Sequence, residues 1–263
     1  MIPLPIFTAA LALAQAGAAL PTVSQDRLRV CLDQARNDPP TAIATASDWA
    51  GEALSGVGGE EAGMPQQCLG FAYMSLLRWD AAGEAFLAAR DARDGTDRAG
   101  RARLGAMAGS AALAAGDFEA ALAPLAAAQA DAEAAGLSEI AGTIAADRAR
   151  ALVGAGREAE AAEVLTGAQI LAPQEAEIWL LSAALARRQG SLNRAREFAG
   201  TALALASDNP DILLEAGLIA ALSGDDAAAR TAWEAVVALD PQAPYAQTAR
   251  TNLAQLQEEA PVQ

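Results

Sequence analysis

Histidine and lysine are both missing from this chain of 263 residues. The histidine count is 0, and each of the 18 basic residues is arginine. These absences remove the usual general base at neutral pH, the commonest metal ligand and the amine that forms Schiff bases. No glycine-rich phosphate loop or nucleophile elbow occurs either. We therefore predict that the protein is not an enzyme and that it uses no cofactor or metal.

Aromatic residues are scarce as well. They make up 4% of the chain, whereas apolar residues make up 53%, with alanine the main contributor. Alanine has the highest helix propensity and little bulk, so it favours closely packed helices. Alternating runs of β-branched and aromatic residues, which are typical of strands, are absent. The composition predicts an all-α protein.

Positive charge is in short supply. The chain has 18 basic and 33 acidic residues, and its formal net charge is −15. A protein that binds nucleic acid needs a basic face for the phosphates. We therefore expect no nucleic acid among its partners.

The first 25 residues carry no charged side chain, and an apolar stretch runs from Ile6 to Ala14. Two sites of the A-x-A type follow, Ala14-Gln15-Ala16 and Ala16-Gly17-Ala18. This pattern predicts a secretory signal peptide over residues 1–19 and a periplasmic location. An apolar first helix or a membrane anchor is the alternative, but prolines interrupt the ~20 apolar residues that a span requires. We expect membrane association only through a partner.

Four series of residues recur along the chain at fixed offsets. The first series contains only glycine and alanine: Gly70, Gly109, Ala149, Ala183 and Gly217. The second contains only alanine: Ala82, Ala121, Ala161, Ala195 and Ala229. The third is mostly large: Phe86, Leu125, Leu165, Ala199 and Trp233. The fourth is small: Ala89, Ala128, Ala168, Ala202 and Val236. The last two steps are 34 residues, from Ala149 to Ala183 and from Ala183 to Gly217, and the earlier steps are five or six residues longer.

Turn signals follow the same phase, because a glycine separates two helical runs in each of four units. These glycines are Gly116, Gly156, Gly190 and Gly224. A period of 34 with two helices per unit resembles the tetratricopeptide repeat. The resemblance covers about residues 63–243 and implies a right-handed α-solenoid of antiparallel helix pairs, in which small residues let two backbones approach and a large residue fills the space beside them.

The resemblance divides the chain into successive units. After the signal peptide we expect an N-terminal helix pair over residues 20–62, with the turn at Asn37-Asp38-Pro39-Pro40. Five repeat units follow, over residues 63–101, 102–141, 142–175, 176–209 and 210–243, and the extra residues of the early units are expected in their connections. A capping helix and tail complete the chain over residues 244–263.

In this family the first helix of each unit lines a concave groove. The slots carried over from the family are Met64, Gln67, Phe71, Met74 and Ser75 in the first unit; Arg103, Ala106, Ser110, Leu113 and Ala114 in the second; Thr143, Ala146, Arg150, Val153 and Gly154 in the third; Glu177, Leu180, Ala184, Arg187 and Arg188 in the fourth; and Asp211, Leu214, Leu218, Ala221 and Leu222 in the fifth.

Four arginines and an apolar pair therefore fall in the predicted groove. The arginines are Arg103, Arg150, Arg187 and Arg188, and the apolar pair is Phe71 and Met74. One interpretation is a groove for an extended peptide bearing carboxylates, since arginine binds a carboxylate through two parallel hydrogen bonds. The other is that these arginines pair with acidic residues on the same or adjacent helices and have no binding role.

The two cysteines, Cys31 and Cys68, lie near the starts of helices in successive pairs. In an oxidising periplasm they are able to form a disulfide. Alternatively, they are two buried thiols that act as small apolar residues. Two lone cysteines are too few for a metal site.

Together these patterns predict a non-catalytic scaffold for protein–protein interaction in the bacterial periplasm, which binds an extended or acidic segment of a protein or peptide partner. A structural envelope subunit that assembles with copies of itself is the alternative. An enzyme that works with carboxylates alone is a distant third.

Overall fold

The computed structural model describes residues 22–55 and 63–258. The predicted signal peptide lies outside the described residues. The described part is built from helices without strands. In chain order, these are α1 (Val23–Asn37), α2 (Pro39–Ser55), α3 (Met64–Ser75), α4 (Trp79–Asp91), α5 (Arg98–Ala115), α6 (Phe118–Ala134), α7 (Ser138–Gly154), α8 (Glu158–Leu171), α9 (Ala176–Arg188), α10 (Leu192–Leu205), α11 (Pro210–Leu222), α12 (Asp226–Leu239) and α13 (Pro244–Glu258). None of them is both long and apolar enough to cross a membrane.

Short polar residues start several of these helices. The side chain of Asp97 accepts a hydrogen bond from the backbone N–H of Gly100 at 2.9 Å, at the start of α5. Asp117 and Asp225 cap α6 and α12 in the same way. Such caps satisfy backbone donors that have no partner within the helix.

Each unit turns between its two helices on a residue with positive φ. In four units this residue is glycine: Gly116, Gly156, Gly190 and Gly224, with φ between 73° and 78°. The first unit has Leu77 at the corresponding position, with φ 56°. Glycine adopts this conformation readily, whereas a side chain at the same backbone angles is strained.

Small and large residues match across each helix pair, as the recurring series predict. A side chain at Gly70 would overlap the ring of Phe86, and one at Gly109 would overlap Leu125. The small residue on the first helix thus makes room for the large one on the second, and the pair forms the centre of the unit core.

Consecutive helices pack against each other along the chain. In addition, α5 contacts α7, α7 contacts α9 and α9 contacts α11. The first helices of the units therefore form a closely spaced row, which is the inner or concave face of the solenoid. The second helices, α4, α6, α8, α10 and α12, form the outer row.

Two predicted unit boundaries fall inside helices. The helices α5 and α7 begin at Arg98 and Ser138, which are four residues before the predicted unit starts at 102 and 142. The helices α5, α6 and α7 have 18, 17 and 17 residues, whereas α9 to α12 have 13 or 14. Most of the extra residues of the early units therefore lengthen helices, although the connection between α4 and α5 is also longer than that between α8 and α9.

The N-terminal pair is attached to the solenoid by a disulfide. Cys31 of α1 and Cys68 of α3 are fully buried and bonded, with their Cα atoms 6.0 Å apart. This separation lies in the usual range for a disulfide. The helix α1 packs on α3 as well as on α2, which brings the two cysteines within reach.

Candidate functional site

The predicted apolar pair at the N-terminal end of the concave row belongs to the packing between helices. The Phe71 ring meets the Phe86 ring edge to face, with centroids 5.2 Å apart. Phe71 and Met74 are both half-buried against the core that contains Phe86 and Leu104. Their apolar surface is therefore used largely within the fold.

Arg103 lies on α5 with an exposed side chain. Within residues 22–55 and 63–258 it has no ion-pair or side-chain hydrogen-bond partner. Its positive charge is available to a ligand on the concave face.

Arg187 connects two helices of the concave row. Its Nε and one terminal nitrogen donate to the two carboxylate oxygens of Glu215 on α11, at 2.6 and 3.3 Å. The exposed fractions of the two side chains are 23% and 12%. This bidentate pair is half-buried, and it stabilises the packing of α9 against α11.

Arg150 is held by two carboxylates. It donates to Asp147 one turn earlier on α7 and to Glu177 of α9 at 2.6 Å. Burial raises the pKa of Asp147, and the negative charge of Glu177 raises it further, while Arg150 opposes both effects. Arg150 therefore neutralises two like charges that come close together between α7 and α9.

Arg188, the last residue of α9, has one partner. It donates to Glu158 at the start of α8, at 2.6 Å. The arginine side chain is 50% exposed and the glutamate 31%. Exposed pairs of this kind contribute only about 0–1 kcal/mol to stability.

The structure thus separates the four predicted arginines. Arg150, Arg187 and Arg188 are paired with acidic residues of adjacent helices, and Arg103 is not. Around Arg150 and Arg188, three carboxylates outnumber two guanidinium groups, so these arginines do not make this part of the concave face positive. The acidic composition of the chain explains this, because carboxylates lie within reach of most cations.

A cavity of about 330 Å³ lies between Arg150 and Arg188. Its walls are almost entirely apolar and come from α6, α7, α8 and α9: Phe118, Ala149, Val153, Gly154, Leu165, Leu181, Ala184 and Leu185. Gly154 is exposed, and Val153 and Ala184 are half-exposed, so the cavity opens to the concave face. The site consists of an apolar depression with two arginines at its margin.

Two small residues make room for this cavity. A side chain at Gly154 would overlap the ring of Phe118, which lies across the end of α7 and forms one wall. Ala184 leaves the opposite wall open. Five of the ten lining residues are predicted groove slots: Arg150, Val153, Gly154, Ala184 and Arg188. The remaining five include residues of α6 and α8, which the carried-over slots do not contain.

Among the residues that the structure describes, the most buried acidic side chain lies away from this site. Asp131 of α6 is 4% exposed and accepts hydrogen bonds from Arg90 of α4 at 2.8 Å and Arg98 of α5 at 2.6 Å. Arg101 lies 3.6 Å away. This network joins three helices and has no opening to the concave cavity. Among the described residues, no group of three or more cysteine or carboxylate side chains is arranged to hold a metal ion.

Comparisons with solved structures identify similar folds. PilW, a widely conserved type IV pilus biogenesis factor, matches with a TM-score of 0.66 and 19% identity over 87% of this chain and 98% of its own. PilF from Pseudomonas aeruginosa matches with 0.64 and 16% over 87% and 96%. YrrB, described as a TPR protein with an unusual peptide-binding site, matches with 0.53 and 15% over 78% and 99%. No protein-family model and no curated protein matches the sequence.

Proposed function

Because this chain has the solenoid fold of tetratricopeptide-repeat proteins, we propose that it is a non-catalytic scaffold for protein–protein interaction. It binds an extended segment of a partner protein on the concave face, and the segment carries at least one carboxylate. The fold supports the general role, since solenoids of this kind present a long curved surface to their partners. The choice of ligand must come from the site itself.

One observation carries the proposal: Arg188 lies beside an apolar cavity on the concave face, is half-exposed and has a single carboxylate partner among the described residues, Glu158. A carboxylate of the bound segment can replace Glu158 at small cost, because the intramolecular pair is exposed and weak. The ligand pair then lies against an apolar wall, where a charge-assisted hydrogen bond is worth more, about 1.5–3 kcal/mol.

Arg103 provides a second cation on the same row, two units away from Arg188. It has no internal carboxylate to displace among the described residues. A segment laid along the row from α5 to α9 meets Arg103 first and Arg188 beside the cavity. Arg187 is not part of this proposal, since it is committed to Glu215 within the fold.

The test begins with a random peptide library displayed on phage and selected on the immobilised protein. The enriched peptide is then titrated against the variant Arg103→Glu/Arg188→Glu. We expect acidic residues to be enriched and the dissociation constant to rise at least tenfold, about 1.4 kcal/mol. Raised salt weakens the interaction as well, because it screens exposed charges.

Arg196→Glu is the matched control. Arg196 is exposed on α10 in the outer row. Its replacement by glutamate changes the net charge by the same amount as each of the two groove substitutions. Its replacement leaves the affinity unchanged. Equal affinities for the wild-type protein and the doubly reversed variant would overturn the acidic-segment proposal. A solution mass of two or more times the mass of one mature chain, with no peptide enriched, would instead favour self-assembly.

We also propose that the protein works in the periplasm. The uncharged N-terminal segment with its A-x-A sites supports export. The buried disulfide between Cys31 and Cys68 supports an oxidising compartment. Intact-mass measurement of protein from its native host tests this location: we expect a mature N-terminus between Gly17 and Leu20. A product that starts at Met1 in the cytoplasm contradicts it.

A further inference from the structure

We infer that the cavity between α7 and α9 is an anchor pocket for one bulky apolar side chain, aromatic or the size of leucine, of the segment that binds the concave face. This inference rests on the proposed function and adds the identity of the residue that the partner must supply. It predicts a ligand in which an acidic residue lies two positions from the apolar one.

A comparison of the position of Ala184 with the same position in other units shows why the pocket occurs here. The residue that corresponds to Ala184 is Phe71 in the first unit and Leu218 in the fifth. Both of these large side chains pack against buried clusters of the fold. In the fourth unit, alanine leaves that volume empty, and Phe118 closes the far side by lying across Gly154. The second and third units have Ser110 and Arg150 at this position. The volume that a large apolar side chain fills in the first and fifth units is thus left open in the fourth.

The lining determines the chemical class of the group that enters. The walls come from Phe118, Val153, Leu165, Leu181 and Leu185, with the arginines at the margin. A hydroxyl or amide that entered would lose its hydrogen bonds to water and find no partner on these walls. An apolar group loses nothing and removes its surface from water. The pocket therefore selects for apolar side chains.

The size of the pocket favours a large side chain over a small one. A volume of about 330 Å³ equals the share of roughly eleven water molecules at ~30 Å³ each. It lies near the lower limit of ~300–1,000 Å³ for sites that enclose small ligands. A phenylalanine or leucine side chain fills more of this space than an alanine or valine side chain does, and it contacts more of the walls.

The charges at the margin place the acidic residue of the segment. Arg150 and Arg188 flank the opening, and Arg188 is the more exposed of the two, at 50% against 38%. Because successive side chains of an extended segment point to opposite faces, the side chain two residues from the anchor lies on the same face and reaches this margin. The partner is therefore a segment in which an aspartate or glutamate lies two residues from the anchor residue.

Two synthetic peptides test the inference directly. The first is acetyl-Gly-Asp-Gly-Phe-Asp-Gly-Gly-amide, and the second has alanine in place of phenylalanine. Titration calorimetry with the full chain gives both affinities. We expect the alanine peptide to bind at least tenfold more weakly. This comparison uses the unaltered protein, so it does not depend on any variant folding correctly.

A variant that fills the pocket provides the second arm. Ala184→Leu places in the fourth unit the residue that the fifth unit already has at Leu218. We expect the preference for phenylalanine over alanine to fall below twofold, while acidic peptides still bind more tightly than their asparagine counterparts. Ala114→Leu is the matched control, because Ala114 is an exposed groove position of α5 outside the pocket. It leaves the preference intact.

The outcomes separate the two claims. If both peptides bind with affinities within twofold of each other, the anchor pocket is wrong and the acidic scaffold stands. If Ala184→Leu folds normally and keeps the full phenylalanine preference, the anchor binds elsewhere and the inference is again wrong. If neither peptide binds and the library selection also enriches nothing, the proposed function fails and the inference fails with it.

Discussion

The N-terminal units and the C-terminal units are held together in different ways. From α9 to α12 the chain keeps a period of 34 residues, with helices of 13 or 14 residues. Between α1 and α7 the period lengthens, and the helices differ more in length. This region contains the Cys31–Cys68 disulfide and the network of three arginines around Asp131, whereas the regular half has the single half-buried Arg187–Glu215 pair between α9 and α11.

The difference indicates that units with a regular repeat need fewer covalent or charged links between their helices. Where the period is constant, each unit buries the same face of its neighbour, and small–large packing such as Gly217 with Trp233 fills the core. Where helices of unequal length meet, the packing is less regular, and a covalent or charged link fixes the arrangement. The following predictions separate these two kinds of stabilisation, from the largest expected effect to the smallest.

Removal of the Asp131 carboxylate is expected to have the largest effect. Asp131→Ala leaves Arg90 and Arg101, whose side chains are 15% and 18% exposed, without their shared counter-charge. Loss of one partner from a buried pair costs about 3–5 kcal/mol in the free energy of unfolding. Urea denaturation measures this loss.

Glu119→Ala is the control in the same helix, because Glu119 is 66% exposed and meets Arg157 at 3.4 Å. It is expected to cost about 0–1 kcal/mol. Similar losses for both variants would show that the Asp131 network is no more important than an exposed pair.

The Asp131 network also predicts a dependence on pH. Burial raises the pKa of Asp131, but hydrogen bonds from Arg98 and Arg90 and the charges of Arg90 and Arg101 outweigh burial and lower the pKa below its usual value. A lowered pKa in the folded state adds stability that is present at neutral pH and disappears as pH falls through the folded-state pKa. The stability difference between the wild-type protein and Asp131→Asn is therefore expected to shrink under acid conditions. A difference that grows as pH falls contradicts this assignment.

Loss of the disulfide is expected to have the next largest effect. The bond closes a separation of 37 residues between α1 and α3. The double variant Cys31→Ala/Cys68→Ala is predicted to lose about 2–4 kcal/mol, because the unfolded chain is no longer constrained. Chemical denaturation of the wild-type and variant proteins gives the value. Thiol titration of the unfolded, unreduced wild-type protein should find no free thiol, and two free thiols would refute the bond.

The stability of the regular C-terminal half should depend on how well its small and large core residues fit together. Gly217→Ala places a Cβ against the Trp233 indole, which donates a hydrogen bond to the carbonyl of Leu214 at 3.3 Å. Overpacking of this kind costs about 1–3 kcal/mol, and it outweighs the gain of about 1 kcal/mol in helix propensity.

The third unit supplies the compensating change, because it has Ala149 with Leu165 at the same two positions. We expect Gly217→Ala/Trp233→Leu to be more stable than the sum of the two single changes, as a double-mutant cycle measures. Simple additivity would argue that the two positions are not coupled.

The smallest expected effect is a gain. Leu77→Gly gives the first unit the glycine that the other four units have at this turn. It removes strain of roughly 1–2 kcal/mol but increases the entropy of the unfolded chain by about 0.4–1 kcal/mol, which leaves a gain of up to about 1 kcal/mol. The reverse change, Gly224→Leu in the fifth unit, should lower the melting temperature. A loss of stability in Leu77→Gly would show that the leucine contributes packing that outweighs its strain.

The fold could be predicted from the sequence because each unit repeats its packing residues. The series that contain Gly70 and Phe86 identify the tetratricopeptide-type solenoid, and the structure and its neighbours confirm this fold. The helix lengths of the early units could not be derived in the same way. A longer spacing shows that residues have been added, but propensity and packing decide whether they extend a helix or a connection.

The candidate site could be predicted only in part. Groove slots are set by position within the unit, so Arg150, Ala184 and Arg188 are found from the repeat alone. Their partners lie in other helices: Arg150 reaches Glu177, which is 27 residues away, and Arg188 reaches Glu158, which is 30 residues away. Acidic residues at about one repeat length from each arginine are a signal that could have identified these pairs.

The cavity itself arises from the absence of bulk, which a list of side chains does not reveal. The signal for it is a comparison between units, in which Ala184 stands where the first and fifth units have Phe71 and Leu218. The closing wall, Phe118, comes from the second unit, and its contact with Gly154 depends on the three-dimensional packing. Small residues in register with large ones are therefore worth examining in any repeat protein.

Hydrogen exchange in the presence of the library-selected peptide tests the central claim most directly. We expect the bound peptide to slow amide exchange in residues 146–154 of α7 and 180–188 of α9, around the cavity, and to leave the outer row unchanged. In Ala184→Leu the protection is reduced at the same residues. Protection confined to the outer helices α8, α10 and α12, or equal protection in Ala184→Leu, would contradict binding at the concave cavity.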